Sequence, residues 1–140
     1  MAASMRGRRR DIRSCADPLA RERWLGQRAV AVAAAAVARN IAPADALSLV
    51  KARPNLYLLD VRTPQEFQQA RIAGAQLIPI DQFIQRVGEL PQDRPILVYC
   101  AVGSRSAQVF SFLARRGYTE VYNLDGGIYA WAAKGYPVVR

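Results

Sequence analysis

The sequence predicts an α/β domain built on a small parallel sheet with helices on both faces. The first observation is that short apolar runs of strand length alternate with segments whose apolar residues recur at helical spacing. The second is that these runs are largely apolar throughout, which is typical of parallel strands covered on both faces. With 140 residues, 51% of them hydrophobic and 22% charged, the chain can form one packed domain, and its composition argues against wholesale disorder.

Four strands are predicted from the apolar runs. They cover residues 56–59, 76–80, 95–100 and 120–123. The first run ends at Asp60. The third, Pro-Ile-Leu-Val-Tyr-Cys, is the strongest strand signal in the chain because it is continuously apolar and rich in β-branched and aromatic residues.

Five helices are predicted between and after these strands. They cover residues 45–51, 64–71, 81–89, 106–116 and 128–134. Thr63 followed by Pro64 is typical of a helix N-cap and first turn, and Gly117 and Gly135 stand where a helix commonly ends. The third helix is expected to place three apolar side chains on one face: Phe83, Ile84 and Val87.

Most of the positive charge lies near the N-terminus. Of a net charge of +9, residues 1–39 carry +6 (nine arginines and three acids) and residues 40–140 carry +3. The sequence therefore predicts a basic, Ala/Arg-rich extension over residues 1–39 and a folded domain over residues 40–140. A basic arm can bind nucleic acid or anionic lipid without specificity. Because no interleaved aromatic residues support a single-strand binding surface, we expect a solvated tail and no specific nucleic-acid partner.

The same extension leaves an export hypothesis open. Arginine-rich residues precede the apolar run of residues 29–38, which ends in an Ala-x-Ala pattern typical of signal cleavage. Acidic residues in the charged part, and the weak hydrophobicity of alanine, instead favour an alanine-rich helix and a cytoplasmic protein. Export to the periplasm is the alternative. Ten apolar residues are too few for a bilayer span, so no stable membrane span is expected.

The absence of histidine excludes several kinds of site. Ser-His-Asp and Cys-His catalysis and His-ligated metal sites all need an imidazole, and the chain has none. Its two cysteines, Cys15 and Cys100, are too few for a structural zinc site or a disulfide scaffold. No metal and no organic cofactor is expected.

Cys100 is the candidate catalytic residue. It ends the strongest predicted strand, and ligands of parallel sheets sit beyond the carboxyl ends of the strands. The pattern Cys-x-x-Gly-x-Arg-Ser before a helix aims backbone N–H groups at one point, which stabilises a thiolate and lowers its pKa. A buried packing cysteine is the alternative, but packing does not explain this loop. Six residues are expected to bind the substrate: Ala101, Val102, Gly103, Ser104, Arg105 and Ser106.

Four further residues are expected to support this site: Asp60, Arg62, Gly126 and Gly127. Asp60 and Arg62 follow a strand end and are expected either to line the pocket or to act structurally. In the structural alternative, Arg62 pairs with Glu66 four residues on, and Asp60 fixes the turn. The two glycines are expected to let the backbone pass close to the active loop.

Five motifs follow one another between residues 40 and 140. They are Leu58-Leu59-Asp60-Val61-Arg62, Glu66-Phe67, Ile72-Ala73-Gly74-Ala75, Val98-Tyr99-Cys100 with its loop, and Gly126-Gly127-Ile128-Tyr129-Ala130-Trp131. With these motifs the chain resembles the single-domain rhodanese family. The resemblance implies the rhodanese-like sheet and a sulfurtransferase whose cysteine carries a sulfane sulfur. Two positions differ from the usual family pattern: Arg71 stands where the family usually has a histidine, and Ala101 stands where it often has an arginine. Because of Ala101, the loop mouth has one positive charge fewer.

The resemblance implies transfer of sulfur from thiosulfate or a persulfide donor to Cys100, and then to a thiol or cyanide acceptor. The expected partners are a small anionic sulfur donor and a thiol or protein sulfur acceptor, with Arg105 on the oxyanion of the donor. A protein-to-protein sulfur relay stays open as an alternative. A cysteine phosphatase or arsenate reductase is a weaker one, because those enzymes need a wider loop than the four residues between Cys100 and Arg105.

Overall fold

The computed structural model describes residues 34–140. Cys15, the predicted signal-like pattern up to residue 33 and most of the predicted basic extension lie outside the described residues. Within residues 34–140 the chain forms five strands, all parallel: β1 (Val37–Ile41), β2 (Tyr57–Asp60), β3 (Gln76–Leu77), β4 (Pro95–Tyr99) and β5 (Glu120–Leu124). Their order across the sheet is β1-β5-β4-β2-β3, so β4 is the central strand.

Helices follow the strands along the described chain. They are α1 (Pro43–Ala52), α2 (Pro64–Gln69), α3 (Phe83–Arg86), α4 (Ser104–Ala114) and α5 (Gly127–Ala133). Short 3-10 turns at Ile80–Gln82 and Val87–Glu89 flank α3. The helix α2 begins as its sequence predicts: the Thr63 side chain accepts from the Glu66 amide, and the Glu66 side chain accepts from the Thr63 amide. This reciprocal pair is a capping box.

Two apolar clusters lie on opposite faces of the sheet. On one face Ile96 and Val98 of β4 belong to a cluster with Val109 and Leu113 of α4. On the other face Leu97 and Tyr99 cluster with three side chains of α1 and α5: Ala46, Ile128 and Trp131. Because successive side chains of a strand point to opposite faces, β4 is buried along its whole length. The predicted fold class is confirmed.

Strand β1 is not predicted by the sequence. It pairs in parallel with β5 from Val37 to Ile41, and of its five residues only Ile41 is buried. An edge strand covered on one side has no continuous apolar run, so its letters carry little strand signal. Residues 34–38, for which an alanine-rich helix was the favoured hypothesis, are irregular or extended, so the helix is wrong for this part of the chain.

The segment after β2 differs from its prediction in two places. Residues 76–80 are predicted as a strand, but β3 ends at Leu77, and Pro79 two residues on has no amide hydrogen to continue the ladder. Residues 81–89 are predicted as one helix, but they divide into α3 and two 3-10 turns, with Gly88 in the second. Phe83 is buried as expected, whereas Ile84 is 65% exposed, so the predicted common apolar face is wrong for Ile84.

Candidate active site

Cys100 lies at the carboxyl edge of the sheet, one residue beyond the central strand β4. The parallel neighbours of β4 end at the same edge, β2 at Asp60 and β5 at Leu124. The Cys100 loop (residues 100–106) then turns into α4, which begins at Ser104. The turn requires Gly103, whose φ of +107° lies in a region that favours glycine. The strand, loop and helix predicted around Cys100 are therefore present.

The Cys100 thiol faces the inside of this loop. The Gly103 amide donates to Sγ at 3.0 Å, and the Ser106 amide donates to Sγ at 3.4 Å. Ser106 is fully buried, and its one hydroxyl proton has two acceptors within reach, the Gly103 carbonyl oxygen at 3.3 Å and the Cys100 sulfur. Two amides on opposite sides of the turn thus converge on the sulfur, an arrangement that stabilises negative charge there.

The environment of Cys100 makes its thiol more acidic. Burial alone raises the pKa of the thiol, because it disfavours the charged form. Hydrogen bonds from the Ser106 side chain and from the amides of Ser106, Gly103 and Val102 act in the opposite direction. Together they outweigh burial, and the pKa of Cys100 lies below its ordinary value. The thiolate fraction at neutral pH is raised accordingly.

Helix α5 holds the back of the Cys100 loop. The Ile128 amide donates to the Cys100 carbonyl oxygen at 2.9 Å, and the Tyr129 amide donates to the Ala101 carbonyl oxygen at 3.1 Å. Gly127 makes this approach possible, because a Cβ at this position would overlap the carbonyl groups of Ala101 and Cys100. Gly126 faces Gly103 across the same contact. The expected close passage of the backbone is present at both glycines.

Asp60 and Arg62 form a buried ion pair with each other. Arg62 Nε lies 3.0 Å from Asp60 Oδ1, and Arg62 Nη2 lies 2.7 Å from Asp60 Oδ2. Nη2 also donates to the Ala70 carbonyl oxygen at 2.6 Å. The alternative in which Arg62 pairs with Glu66 is wrong. Arg62 precedes the N-cap Thr63 and is outside the helix, so the four-residue helical spacing does not bring the two side chains together.

Glu66 instead pairs with Arg105, the last charged residue of the Cys100 loop. The two terminal nitrogens of Arg105 donate to the two carboxylate oxygens of Glu66, at 2.9 and 3.0 Å. This bidentate contact is the main cause that lowers the pKa of Glu66 to about 2. Arg105 is thus beside the thiol as expected, but its charge is already paired. Glu66 was not predicted as a site residue, since its partner is 39 residues away in the sequence.

Of the remaining loop residues, Val102 and Ser104 lie at the rim and Ala101 is buried. Ala101 is buried against α5, whereas Ser104 is exposed and Val102 is 56% exposed. A cavity of about 240 Å³ lies beside this rim, and its lining includes Arg62, Glu66 and Tyr129.

No metal-binding cluster of His, Cys, Asp and Glu side chains occurs within residues 34–140. In the same part of the chain, every helix is too short or too polar to cross a bilayer.

Comparison with known proteins gives one family. The family model described as Rhodanese-like domain matches residues 42–134. A protein of Allochromatium vinosum named Sulfurtransferase is 42% identical over 85 residues, which are 61% of this chain and 79% of that protein. A Vibrio cholerae protein named Thiosulfate sulfurtransferase GlpE is 34% identical over 82 residues, which are 59% of this chain and 77% of its own length.

A solved structure gives the same result. The crystal structure of a rhodanese-related protein from Thermoplasma volcanium matches with a TM-score of 0.67 and 37% identity. The match covers 72% of this chain and 97% of that one.

Proposed function

The chain belongs to the rhodanese-like domain family, and we propose that it is a sulfurtransferase that carries a sulfane sulfur as a persulfide on Cys100. The observation that carries the proposal is the pair of amide hydrogen bonds from Gly103 and Ser106 to Sγ. They favour the thiolate, which is the nucleophile that sulfur transfer needs. The names of the relatives, sulfurtransferase and thiosulfate sulfurtransferase, support the same reaction.

In the first displacement, the Cys100 thiolate attacks the outer sulfur of the donor. With thiosulfate, a bond forms between Sγ and that sulfur, and the bond between the outer sulfur and the sulfite sulfur breaks. Its electron pair leaves with sulfite, so the reaction needs no external oxidant or reductant. Because the thiol is already acidic, the step needs no histidine base, and the chain contains no histidine.

In the second displacement, an acceptor thiolate or cyanide attacks the terminal sulfur of the Cys100 persulfide. The new bond forms to that sulfur while its bond to Sγ breaks, and the electron pair returns to Sγ as the thiolate. We expect amides of residues 101–106 to hold the terminal sulfur and the incoming anion, as preorganised donors do in other covalent mechanisms. Gly126 and Gly127 support the site by positioning the loop, and Asp60 and Arg62 by fixing the end of β2.

A protein-to-protein sulfur relay is the second candidate. Two large apolar or aromatic side chains are exposed near the Cys100 loop, Val102 at 56% and Tyr129 at 64%. Exposed side chains of this kind are typical of protein contact surfaces. A relay uses the same Cys100 persulfide with protein thiols as donor and acceptor. Separate measurement of cyanide-releasable sulfur and of thiosulfate turnover distinguishes the two, since a relay holds sulfur without rapid thiosulfate turnover.

Intact mass after incubation with a donor tests the proposal directly. We expect the native chain to gain about 32 Da, one sulfur atom, and to lose it again with cyanide or excess thiol. Cys100→Ser is expected to gain nothing, while the matched control Cys15→Ser gains the full increment. A gain that persists in Cys100→Ser and disappears in Cys15→Ser would contradict the proposal.

N-terminal sequencing of the mature protein tests the proposed cytoplasmic location against export.

A further inference from the structure

Arg105 is the one charged residue within the Cys100 loop, so its charge contributes to the field that an anionic donor meets there. Its guanidinium holds Glu66 in a bidentate pair at 2.9 and 3.0 Å, and the thiolate of Cys100 is within its electrostatic range. Arg105 and Glu66 are 31% and 28% exposed, respectively, so the pair lies at the surface of the site rather than in the core. A bound donor therefore meets a neutralised arginine.

Glu66 is held on its other side by the first turn of α2. The Thr63 amide donates to Glu66 Oε1 at 3.0 Å, and the Thr63 hydroxyl donates to the same oxygen at 3.1 Å. These bonds fix the carboxylate in place beside Arg105. Since the pKa of Glu66 is lowered to about 2, the carboxylate stays charged throughout the neutral range. The charge that pairs with Arg105 is thus present throughout that range.

We propose that Glu66 is a specificity-determining residue that selects a thiol-borne persulfide over thiosulfate as the sulfur donor. The inference rests on the proposed function. Thiosulfate carries two negative charges and sulfite leaves with two, so a nearby unpaired cation favours its reaction with a thiolate. A thiol persulfide carries at most one charge at its reacting end. The neutralisation of Arg105 therefore slows the reaction of a thiol persulfide less than the reaction of thiosulfate.

The persulfide step balances in the same way as the thiosulfate step. The Cys100 thiolate attacks the outer sulfur of R–S–SH, and a bond forms between Sγ and that sulfur. The bond between the two donor sulfurs breaks, and its electron pair leaves with R–S⁻. Cys100 becomes Cys–S–SH, with the donor's proton still on the terminal sulfur. One thiolate is consumed and one released, and no redox partner takes part.

Glu66→Gln tests the assignment with little disturbance of the fold. Glutamine retains an oxygen for the Thr63 amide and so keeps the capping box, but it removes the charge that neutralises Arg105. The matched control is Glu89→Gln, because Glu89 pairs with Arg86 at 2.8 Å on the surface and its loss changes the net charge equally. The full chain is loaded with thiosulfate or with N-acetylcysteine amide persulfide, and the second-order rate of sulfur addition to Cys100 is followed by intact mass.

We expect Glu66→Gln to raise the ratio of the thiosulfate rate to the persulfide rate by about fivefold to tenfold, from removal of one charge near a dianion. Arg105→Gln, which leaves Glu66 unpaired, is expected to lower the same ratio below the native value. Glu89→Gln should leave it unchanged. An unchanged ratio in Glu66→Gln, or an equal rise in Glu89→Gln, would overturn the specificity assignment alone. If the native chain took sulfur from neither donor, the proposed function itself would fail.

Discussion

Two arginine–carboxylate pairs lie at the carboxyl edge of the sheet, and they differ in burial. The side chains of Asp60 and Arg62 are 0% and 5% exposed, whereas those of Glu66 and Arg105 are 28% and 31% exposed. The contact distances are similar, 2.7 Å and 2.9 Å. Geometry alone therefore does not separate them, and the surroundings of each pair decide what it does.

The buried pair acts on the fold. Besides Asp60, Arg62 donates to the Ala70 carbonyl oxygen, and its guanidinium stacks 5.5 Å from the centre of the Tyr99 ring. The Tyr99 hydroxyl in turn accepts from the Ile72 amide at 3.1 Å. The pair thus connects the ends of β2 and β4 to residues 70–72. Removing one partner leaves an uncompensated charge in the interior, which is costly.

The half-exposed pair acts on the site. Water screens both of its members, so its loss is expected to change the free energy of unfolding little. It stands beside the thiol, however, and sets the charge that a donor meets. Similar contacts at one edge of the sheet thus serve stability in one case and specificity in the other. Two measurements test this contrast, and a third extends it to the thiolate beside the pairs.

The largest effect is expected from Arg62→Met. Asp60 would be left buried without its arginine, and we expect the free energy of unfolding to fall by about 3–5 kcal/mol, measured by urea titration. Arg105→Met is the matched control at the half-exposed pair, where we expect the free energy of unfolding to change by about 1 kcal/mol or less. The double variant Asp60→Asn/Arg62→Met should recover part of the loss. Equal destabilisation by Arg62→Met and Arg105→Met would contradict the contrast.

The second prediction concerns the acid stability of the half-exposed pair, Glu66 and Arg105. In the folded chain the pKa of Glu66 is about 2, below its ordinary value of 4.5, because Arg105 and Thr63 stabilise the carboxylate. Because the pKa of Glu66 is lower in the folded chain than in the unfolded chain, the charged carboxylate stabilises the fold above pH 4.5. This stabilisation is lost as the pH falls towards 2. Because the pair is solvent-screened, we expect about 1 kcal/mol to be lost over that window.

Urea midpoints between pH 5 and pH 2.5 measure this loss, and Glu66→Gln is the reference because glutamine does not titrate. The native chain should lose about 1 kcal/mol more than the variant as the pH falls. Parallel curves for the two proteins would mean that the Glu66–Arg105 pair is not formed in solution. A difference near that of Arg62→Met would mean that the pair is buried more deeply than its exposure indicates.

The contrast between the two pairs also marks what the sequence can predict. Features with strong local signals were predicted: the apolar β4, the N-cap at Thr63, and the turn glycines near the ends of α4 and α5. The edge strand β1 was missed because only Ile41 of its residues is buried. A strand as short as β1, with residues of mixed polarity, has no hydrophobic periodicity that distinguishes an edge strand from a tail.

The pairing of the arginines was not predictable for a related reason. Local spacing suggested Arg62 with Glu66, but the helix starts after Arg62, and tertiary contacts decided both partners instead. Arg105 reaches Glu66 across 39 residues of sequence because α2 and α4 begin at the same edge of the sheet. The candidate nucleophile was predictable from its place after the strongest strand, whereas the charge around it depends on contacts that spacing does not encode.

The smallest expected effect concerns the thiolate, a charge held by neutral donors rather than by an arginine. Ser106→Ala removes the side-chain hydrogen bond that helps to lower the pKa of Cys100. We expect the pKa of the thiol to rise, because a neutral hydrogen bond to the thiolate contributes roughly 0.7 kcal/mol. Alkylation by iodoacetamide near neutral pH should then slow by about threefold, since only the thiolate reacts. The pH profile of the rate gives the pKa directly.

Ser104→Ala is the matched control, because Ser104 is exposed at the start of α4 and the Sγ contacts come from other residues of the loop. Both variants are made in a Cys15→Ser background, so that Cys100 is the one thiol alkylated. A shift of the same size in both would show that the helix N-terminus, and not the Ser106 contact, controls the acidity of the thiol. A shift in Ser106→Ala alone would show that uncharged hydrogen-bond donors stabilise the Cys100 thiolate, which is the third negative charge at this edge of the sheet after Asp60 and Glu66. Serine and the loop amides stabilise the thiolate without adding a positive charge, which would also attract dianions.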